Sequence, residues 1–266
     1  MNWSRVITAV ILASIVIALI LKLENIWFDL ICGLIVLLAL WEWAVLKQQS
    51  FIVFLLSTIP LTVLFFVGRE YQNLLMILSL LSSQIWIVIA IDIMLNKLES
   101  FYSALNSYVM GVFLMSGVWS ALVLIHGWID GGPMFLISVL LMIWAADCFA
   151  YLVGKNYGHR KLAPEISPGK TYEGFCGGVL GTLILALVTG VILLNLSGVQ
   201  LLLWVGLGLF ISVIGIIGDL YESRLKRIAG VKDSGRILPG HGGILDRIDS
   251  MIVAMPMVAI GWYLVR

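Results

Sequence analysis

The stretch VITAVILASIVIALI, from Val6 to Ile20, has no charged residue and no continuous polar face. Strands of a membrane barrel alternate apolar and polar positions. A segment apolar on every side suits a helix immersed in lipid, where each backbone N–H and C=O must be satisfied within the segment. A helical span takes roughly 17 to 25 residues, and apolar runs of that length recur near residues 5–21, 26–46, 51–67, 73–95, 107–126, 133–153, 174–195, 200–217 and 249–265. The chain is therefore expected to be an all-α, polytopic integral membrane helix bundle of about nine transmembrane helices. Composition agrees, with 12% charged residues and a mean hydropathy of +1.08, where soluble domains carry about 25% charged residues.

Arg5 precedes the first run, but no small-x-small cleavage site comes before Lys22 and Glu24, so this run is expected to be retained as a span. Cys32, Cys148 and Cys176 fall inside predicted spans without metal-type spacing, which makes them small apolar packers and supports neither a disulfide framework nor a zinc site. A net charge of +1 becomes informative once sorted by side. With nine spans, all 16 Lys and Arg except Lys22, Arg69 and Arg266 fall on the side of the N-terminus. Positive charge in short loops marks the cytoplasmic side, so the N-terminus and both long polar loops are expected in the cytoplasm, for a protein of a bacterial inner membrane.

Residues 1–130 read as an N-terminal scaffold of spans, and residues 131–266 as the catalytic region with polar loops at 154–173 and 218–249. Glu42 in LWEWAVL and Asp92 in IAIDIML stand near helix ends, as snorkelling or capping acids do. Asp147, in MIWAADCFAYLVG, is further inside its span, and an acid inside a membrane is costly enough to mark a candidate site.

In the second loop, Asp219, Glu222, Ser223 and Lys226 recur at i, i+3, i+4 and i+7, one stripe of a helix that continues past the membrane surface. Then comes KDSGRILPGHGGILDRIDS, Lys232 to Ser250, with Lys232 and Asp233, a turn holding His241, Gly242 and Gly243, and Asp246, Arg247 and Asp249 opening the last helix. Glycines let backbone amides approach an anion, and a helix N-terminus adds free donors and a positive dipole end. Asp246 and Asp249 at i and i+3 present two carboxylates on one face, hard oxygen ligands of the kind Mg²⁺ takes beside substrate phosphates. The expected metal ligands are Asp219, Asp246 and Asp249.

The first loop contains SPGKT, Ser167 to Thr171. It is not a nucleotide-binding P-loop, because Pro164 stands where that motif needs its first glycine, and no strand is expected ahead of it. Ser167, Gly169, Lys170 and Thr171 instead precede a helix start, with Glu173 placed as the distal acid of a cap, and form a candidate anion site.

These residues resemble the phosphatidate cytidylyltransferase (CDP-diacylglycerol synthase) family. Its signature is matched without departure by Ser223, Leu225, Lys226, Arg227, Lys232, Asp233, Gly235, Leu238, Pro239, His241, Gly242, Gly243, Ile244, Asp246, Arg247, Ile248 and Asp249. WAADCFAY at Trp144–Tyr151 and SPGKTYEG at Ser167–Gly174 extend the likeness over about the C-terminal half. The resemblance implies conversion of CTP and phosphatidic acid to CDP-diacylglycerol and pyrophosphate with Mg²⁺, and room for a second cation. Asp219, Lys226, Asp246 and Asp249 would be catalytic. Lys170, Arg227, Lys232, His241 and Arg247, with Ser167, Gly169, Thr171, Ser223, Asp233, Gly242 and Gly243, would bind phosphate or substrate. Membrane lipids are expected partners and nucleic acid is not; a homo-oligomer is left open.

Three other readings compete. A transporter or channel would use Glu42, Asp92 and Asp147 as an ion path, but polar residues gather in same-side loops rather than at mid-membrane, and no inverted repeat is visible. A CDP-alcohol phosphotransferase needs D-G-x-x-A-R, whereas Asp130-Gly131 continues Gly-Pro-Met. An enzyme activating an isoprenoid ether lipid phosphate would share the polar chemistry and differ only in its apolar groove.

Overall fold

The computed structural model describes residues 3–95, 108–237 and 242–265. Its helices are α1 (Trp3–Lys22), α2 (Asn25–Leu46), α3 (Phe51–Val67), α4 (Gln72–Leu95), α5 (Tyr108–Trp128), α6 (Gly132–Tyr157), α7 (Tyr172–Val188), α8 (Gly198–Ile228) and α9 (Leu245–Val265). Each coincides with an apolar run of the sequence. Among the described residues seven helices are long and apolar enough to cross a membrane, α2 to α8, so the bundle is that of an integral membrane protein. Nine helices form over the nine apolar runs among the described residues, and seven of them are supported as membrane spans. Helix α1 has 20 residues, and α9 opens on Asp246, Arg247 and Asp249.

The all-helical expectation needs one addition. Between α6 and α7 the chain forms an antiparallel hairpin of β1 (Lys161–Ala163) and β2 (Ser167–Thr171), pairing Lys161 with Thr171 and Ala163 with Ser167. Contrary to the expectation for this loop, strands both precede and contain SPGKT. The segment has to reverse direction between two antiparallel helices, and pairing its own amides satisfies them without a helix.

Helix α5 is the central post, buried along most of its length and packed on α2, α4, α6 and α9. Leu114, Met115, Trp119, Leu124 and Ile125 have almost no exposed surface. Since lipid is as apolar as a leucine side chain, close packing holds such helices together. The α6–α7 pair shows this best. Gly174 and Gly178, and Gly177 and Gly181, form two small-xxx-small pairs on α7, and a methyl group at any of these positions would run into α6 backbone or into Val153 or Phe149. Replacing Gly178 by Leu is accordingly expected to lower Tm in detergent, with a cost of about 1–3 kcal/mol from overpacking, measured as an earlier thermal unfolding transition.

Helix α8 is the longest at 31 residues. Its outer end is held by aromatic packing, since Tyr221 lies between Trp43 of α2 and Trp86 of α4, with ring centroids 5.9 and 5.4 Å away. Trp86 also donates from Nε1 to the Ile252 carbonyl of α9 at 3.0 Å. The helix stops at Gly230, whose φ of +71° is the left-handed conformation that glycine adopts without cost. Gly230 N–H donates to Arg227 and Val231 N–H to Lys226, the paired bonds of a Schellman cap.

Candidate active site

The stripe anticipated on α8 is formed, because the helix runs without interruption to Ile228. The polar loop is correspondingly shorter than 218–249 and occupies residues 229–244. Asp219 and Asp249 come together where α8 and α9 touch. Gly218 permits the approach: a side chain there would overlap the Asp249 carbonyl. Glu222, one turn along from Asp219, completes a group whose ligand oxygens all lie within 4.8 Å of one another. Ser223 Oγ donates to Asp219 Oδ1 at 3.3 Å.

Two lysines reach this group from different elements. Lys170, at the end of β2, lies 2.5 Å from Asp219. The hairpin is kept there by the Arg227 Nε bond to the Ile166 carbonyl at 3.3 Å. Thr171 caps α7 by accepting from Gly174 N–H at 3.1 Å. Glu173 does not act as the distal acid of that cap; it reaches back to the amides of His159 and Arg160 and so closes the base of the hairpin. Lys226 is shared between Glu222 and Asp246, 2.6 Å from Asp246 Oδ1. Asp147 on α6 acts on Asp249 through space, alongside Asp219 and Lys170, and is itself under the influence of Lys170 and Arg247. All of these groups lie at one end of the bundle.

Asp246 occupies a different place from the one its spacing suggested. Its carboxylate accepts from Lys226, from Ser234 N–H and Oγ at 3.0 Å each, and from Gly243 N–H at 2.8 Å. Burial raises its pKa, but contacts with Glu222, Lys226 and the Gly243 amide outweigh that and hold the carboxyl down at about 2, so it is ionised at neutral pH. The acid that joins Asp219 and Asp249 is Glu222. The sequence showed Glu222 on the right stripe, but its i,i+4 spacing to Lys226 equally describes an ordinary surface ion pair.

The amides at the start of α9 are also not free donors. Ile244 N–H donates to Glu42 Oε1 at 3.1 Å and Leu245 N–H to Glu42 Oε2 at 2.8 Å, while Gly243 N–H serves Asp246. A helix N-terminus attracts an anion, and here the protein supplies its own carboxylates. Gly242 adopts φ +83° in this turn. His241 lies outside the described residues. Lys232, Asp233 and Arg247 are exposed at the rim, as is Gly169, next to which a side chain would meet nothing.

Asp147, Asp219, Glu222, Asp246 and Asp249 thus gather five carboxyl groups around two ion-paired lysines. Hard oxygen donors in surplus suit a divalent cation, and the positions of Asp219, Glu222 and Asp249 fit one. A site with acids at its centre and cations around it can bind a metal and the phosphates that travel with it.

The model of the cytidylyltransferase family matches residues 3–265. The chain belongs to that family. It is 36% identical over 262 residues to the phosphatidate cytidylyltransferase of Pseudomonas aeruginosa, covering 96% of this chain and 94% of that one. The corresponding enzyme of Haemophilus influenzae is 32% identical over 98% of each chain. That of Bacillus subtilis is 51% identical over 128 residues, 48% of this chain and 46% of its own.

Proposed function

We propose that this protein is a phosphatidate cytidylyltransferase, which transfers the cytidylyl group of CTP to phosphatidate and releases pyrophosphate, supplying CDP-diacylglycerol for phospholipid synthesis. The observation that carries this reading is the convergence of Asp219, Glu222 and Asp249 beside Lys170 and Lys226, in a chain similar to such enzymes over nearly its whole length. A phosphatidate oxygen attacks the α-phosphorus of CTP, the bond from that phosphorus to the bridging α–β oxygen breaks, and pyrophosphate leaves with the electron pair. Phosphatidate is already an anion at neutral pH, so no general base is required. The protein's task is to position and neutralise anions.

Asp219, Glu222 and Asp249 would hold Mg²⁺, with Asp147 near enough to contribute to a second cation. A bound divalent ion supplies charge stabilisation to phosphoryl oxygens. Asp246 orients Lys226, Ser234 and the amide of Gly243. Lys170 and Lys226 would exchange their carboxylate partners for substrate phosphates, with Arg227, Lys232 and Arg247 at the entrance. The side facing the cytoplasm is the one bearing these loops, as the positive-charge asymmetry of the sequence supports. In this reading residues 131–266 carry the reacting groups and residues 1–130 hold them in place.

The test is an assay of purified protein in detergent with radiolabelled CTP. Label is expected in the lipid fraction only when phosphatidate and Mg²⁺ are both present. Chelation should stop the reaction, and added Mg²⁺ should restore it. Label incorporation without phosphatidate, or undiminished by chelation, would refute the reading. Lys170→Ala is expected to raise the KM for CTP and lower turnover about 10- to 100-fold, as loss of a single positioning charge does, in steady-state kinetics on the same preparation.

A further inference from the structure

Glu42 is the least expected member of this end of the molecule. It belongs to α2, in the half of the chain that carries none of the reacting groups, and only 2% of its surface is exposed. Its carboxylate receives three donors from a segment about two hundred residues away, namely Ser234 Oγ at 3.0 Å, Ile244 N–H at 3.1 Å and Leu245 N–H at 2.8 Å. Side chains at Gly235 and Gly243 would intrude on it. Ser234 and Gly235 after α8, and Gly243 to Leu245 at the start of α9, are therefore moulded around one carboxylate.

A buried carboxylate loses its hydration, and an apolar residue of similar size would pack α2 against α9 with less cost. What only an anion can do here is gather three donors at one point. The Ser234 hydroxyl is within 3.0 Å of both Glu42 Oε2 and Asp246 Oδ2. It has a single proton, so it donates to one of them at a time, while its own amide stays on Asp246. Asp246 in turn holds Lys226. A continuous line of contacts thus runs from α2 through Ser234 and Asp246 to the lysine beside the acidic group.

We propose that Glu42 is a positioning residue for cytidylyl transfer. It fixes Ser234 and the start of α9 at Ile244 and Leu245 and, through Ser234, the direction in which Asp246 presents Lys226. This rests on the assignment of the acidic group and Lys226 to the reacting centre made above. Removing the carboxylate lets the segment relax. The fold persists through the α2–α5 and α5–α9 packing, but Lys226 is no longer aimed.

The kinetics of Glu42→Gln, Ser234→Ala and the double variant test this in detergent, with Asp249→Asn as a reference and thermal unfolding run on each. Glutamine can replace one carboxylate oxygen as acceptor but turns an N–H₂ group toward a donor at the other. Glu42→Gln is expected to lower kcat about 10- to 100-fold, as loss of a supporting contact behind a reacting group does, with the KM for phosphatidate unchanged and the protein folded at the assay temperature. Ser234→Ala should show the same pattern more weakly. Because both act along one line, the double variant should be no slower than Glu42→Gln alone. Wild-type kcat in both single variants overturns the inference, as does a loss of activity that merely tracks the unfolded fraction, or full additivity in the double variant. Should Glu42→Gln not fold, Ser234→Ala decides alone, by whether its kcat falls at unchanged Tm. Full activity of Asp249→Asn would instead refute the acidic centre itself, whatever Glu42 does.

Discussion

Asp249→Asn is expected to abolish most CDP-lipid formation, with a fall on the order of a hundredfold or more, comparable to removing one preorganised electrostatic contact from a reacting site. The substitution preserves shape and removes one charge. Asp249 shares its surroundings with Asp219 and Glu222, whose oxygens lie within 4.8 Å of its own, and with Asp147 on α6. In the absence of a cation these acids repel one another, so the same variant should unfold at an equal or higher temperature than the wild type. Gain of stability with loss of turnover is the pattern of a site arranged for function rather than for the fold. Initial rates across a Mg²⁺ titration and thermal unfolding of metal-free protein measure the two sides of this prediction. Wild-type turnover at saturating Mg²⁺ would remove Asp249 from the set of cation ligands. Asp219→Asn is expected to behave alike, with the further change that Lys170 loses its ion-pair partner.

Lys226→Met should damage both activity and stability. The ammonium group is shared by Glu222 and Asp246, and the side chains of the three residues are 13%, 4% and 7% exposed. Removing the cation leaves the buried Asp246 carboxylate and the Glu222 carboxyl without their shared partner, and breaking a buried pair from one side costs about 3–5 kcal/mol. Turnover should fall at least as far as in Asp249→Asn, because the same lysine faces the substrate phosphates in the proposed reaction. The two losses can be separated. Adding Glu222→Gln to Lys226→Met replaces one of the two crowded buried acids by a neutral amide and should recover part of the lost Tm while leaving turnover near background. Recovery of turnover together with Tm would show that Lys226 serves only the fold. Thermal unfolding and single-time-point CTP assays on the two variants suffice.

Much of the fold was legible because a span must satisfy its backbone internally and present an apolar surface in every direction, and this requirement is written locally, residue by residue. All nine apolar runs became helices. The stripe of Asp219, Glu222, Ser223 and Lys226 could be read for the same reason, since the period of a helix places i, i+3, i+4 and i+7 on one face without knowledge of any neighbour. The hairpin at Lys161–Thr171 was not foreseen, because three- and five-residue strands carry too few positions for a recognisable period.

The partners of each acid were beyond reach of local pattern. Asp246 and Asp249 share a face of α9, yet Asp246 is drawn to Lys226, Ser234 and Gly243 while Asp249 is left for Asp219 and Glu222. The difference arises from the angle at which α9 meets α8, set by contacts such as Gly218 against the Asp249 carbonyl. The glycine turn looked like a set of free donors, but two carboxylates of the protein already occupy its amides. Glu42 had the sequence features of a capping acid, and it does cap a helix, though one that begins two hundred residues later.

The sequence by itself determined that the chain is a membrane-embedded helical bundle, that its polar chemistry gathers at one end, and, through the residues from Ser223 to Asp249, which family it resembles. Each of these is carried by a local period or a contiguous motif. Only the tertiary structure decided that Glu222 rather than Asp246 completes the acidic group, that Lys170 of the hairpin reaches Asp219, and that α2 supplies the carboxylate at the start of α9. Those assignments depend on distances between segments far apart in the chain. Such distances are fixed by helix packing at glycine contacts and around Tyr221, which no single segment encodes.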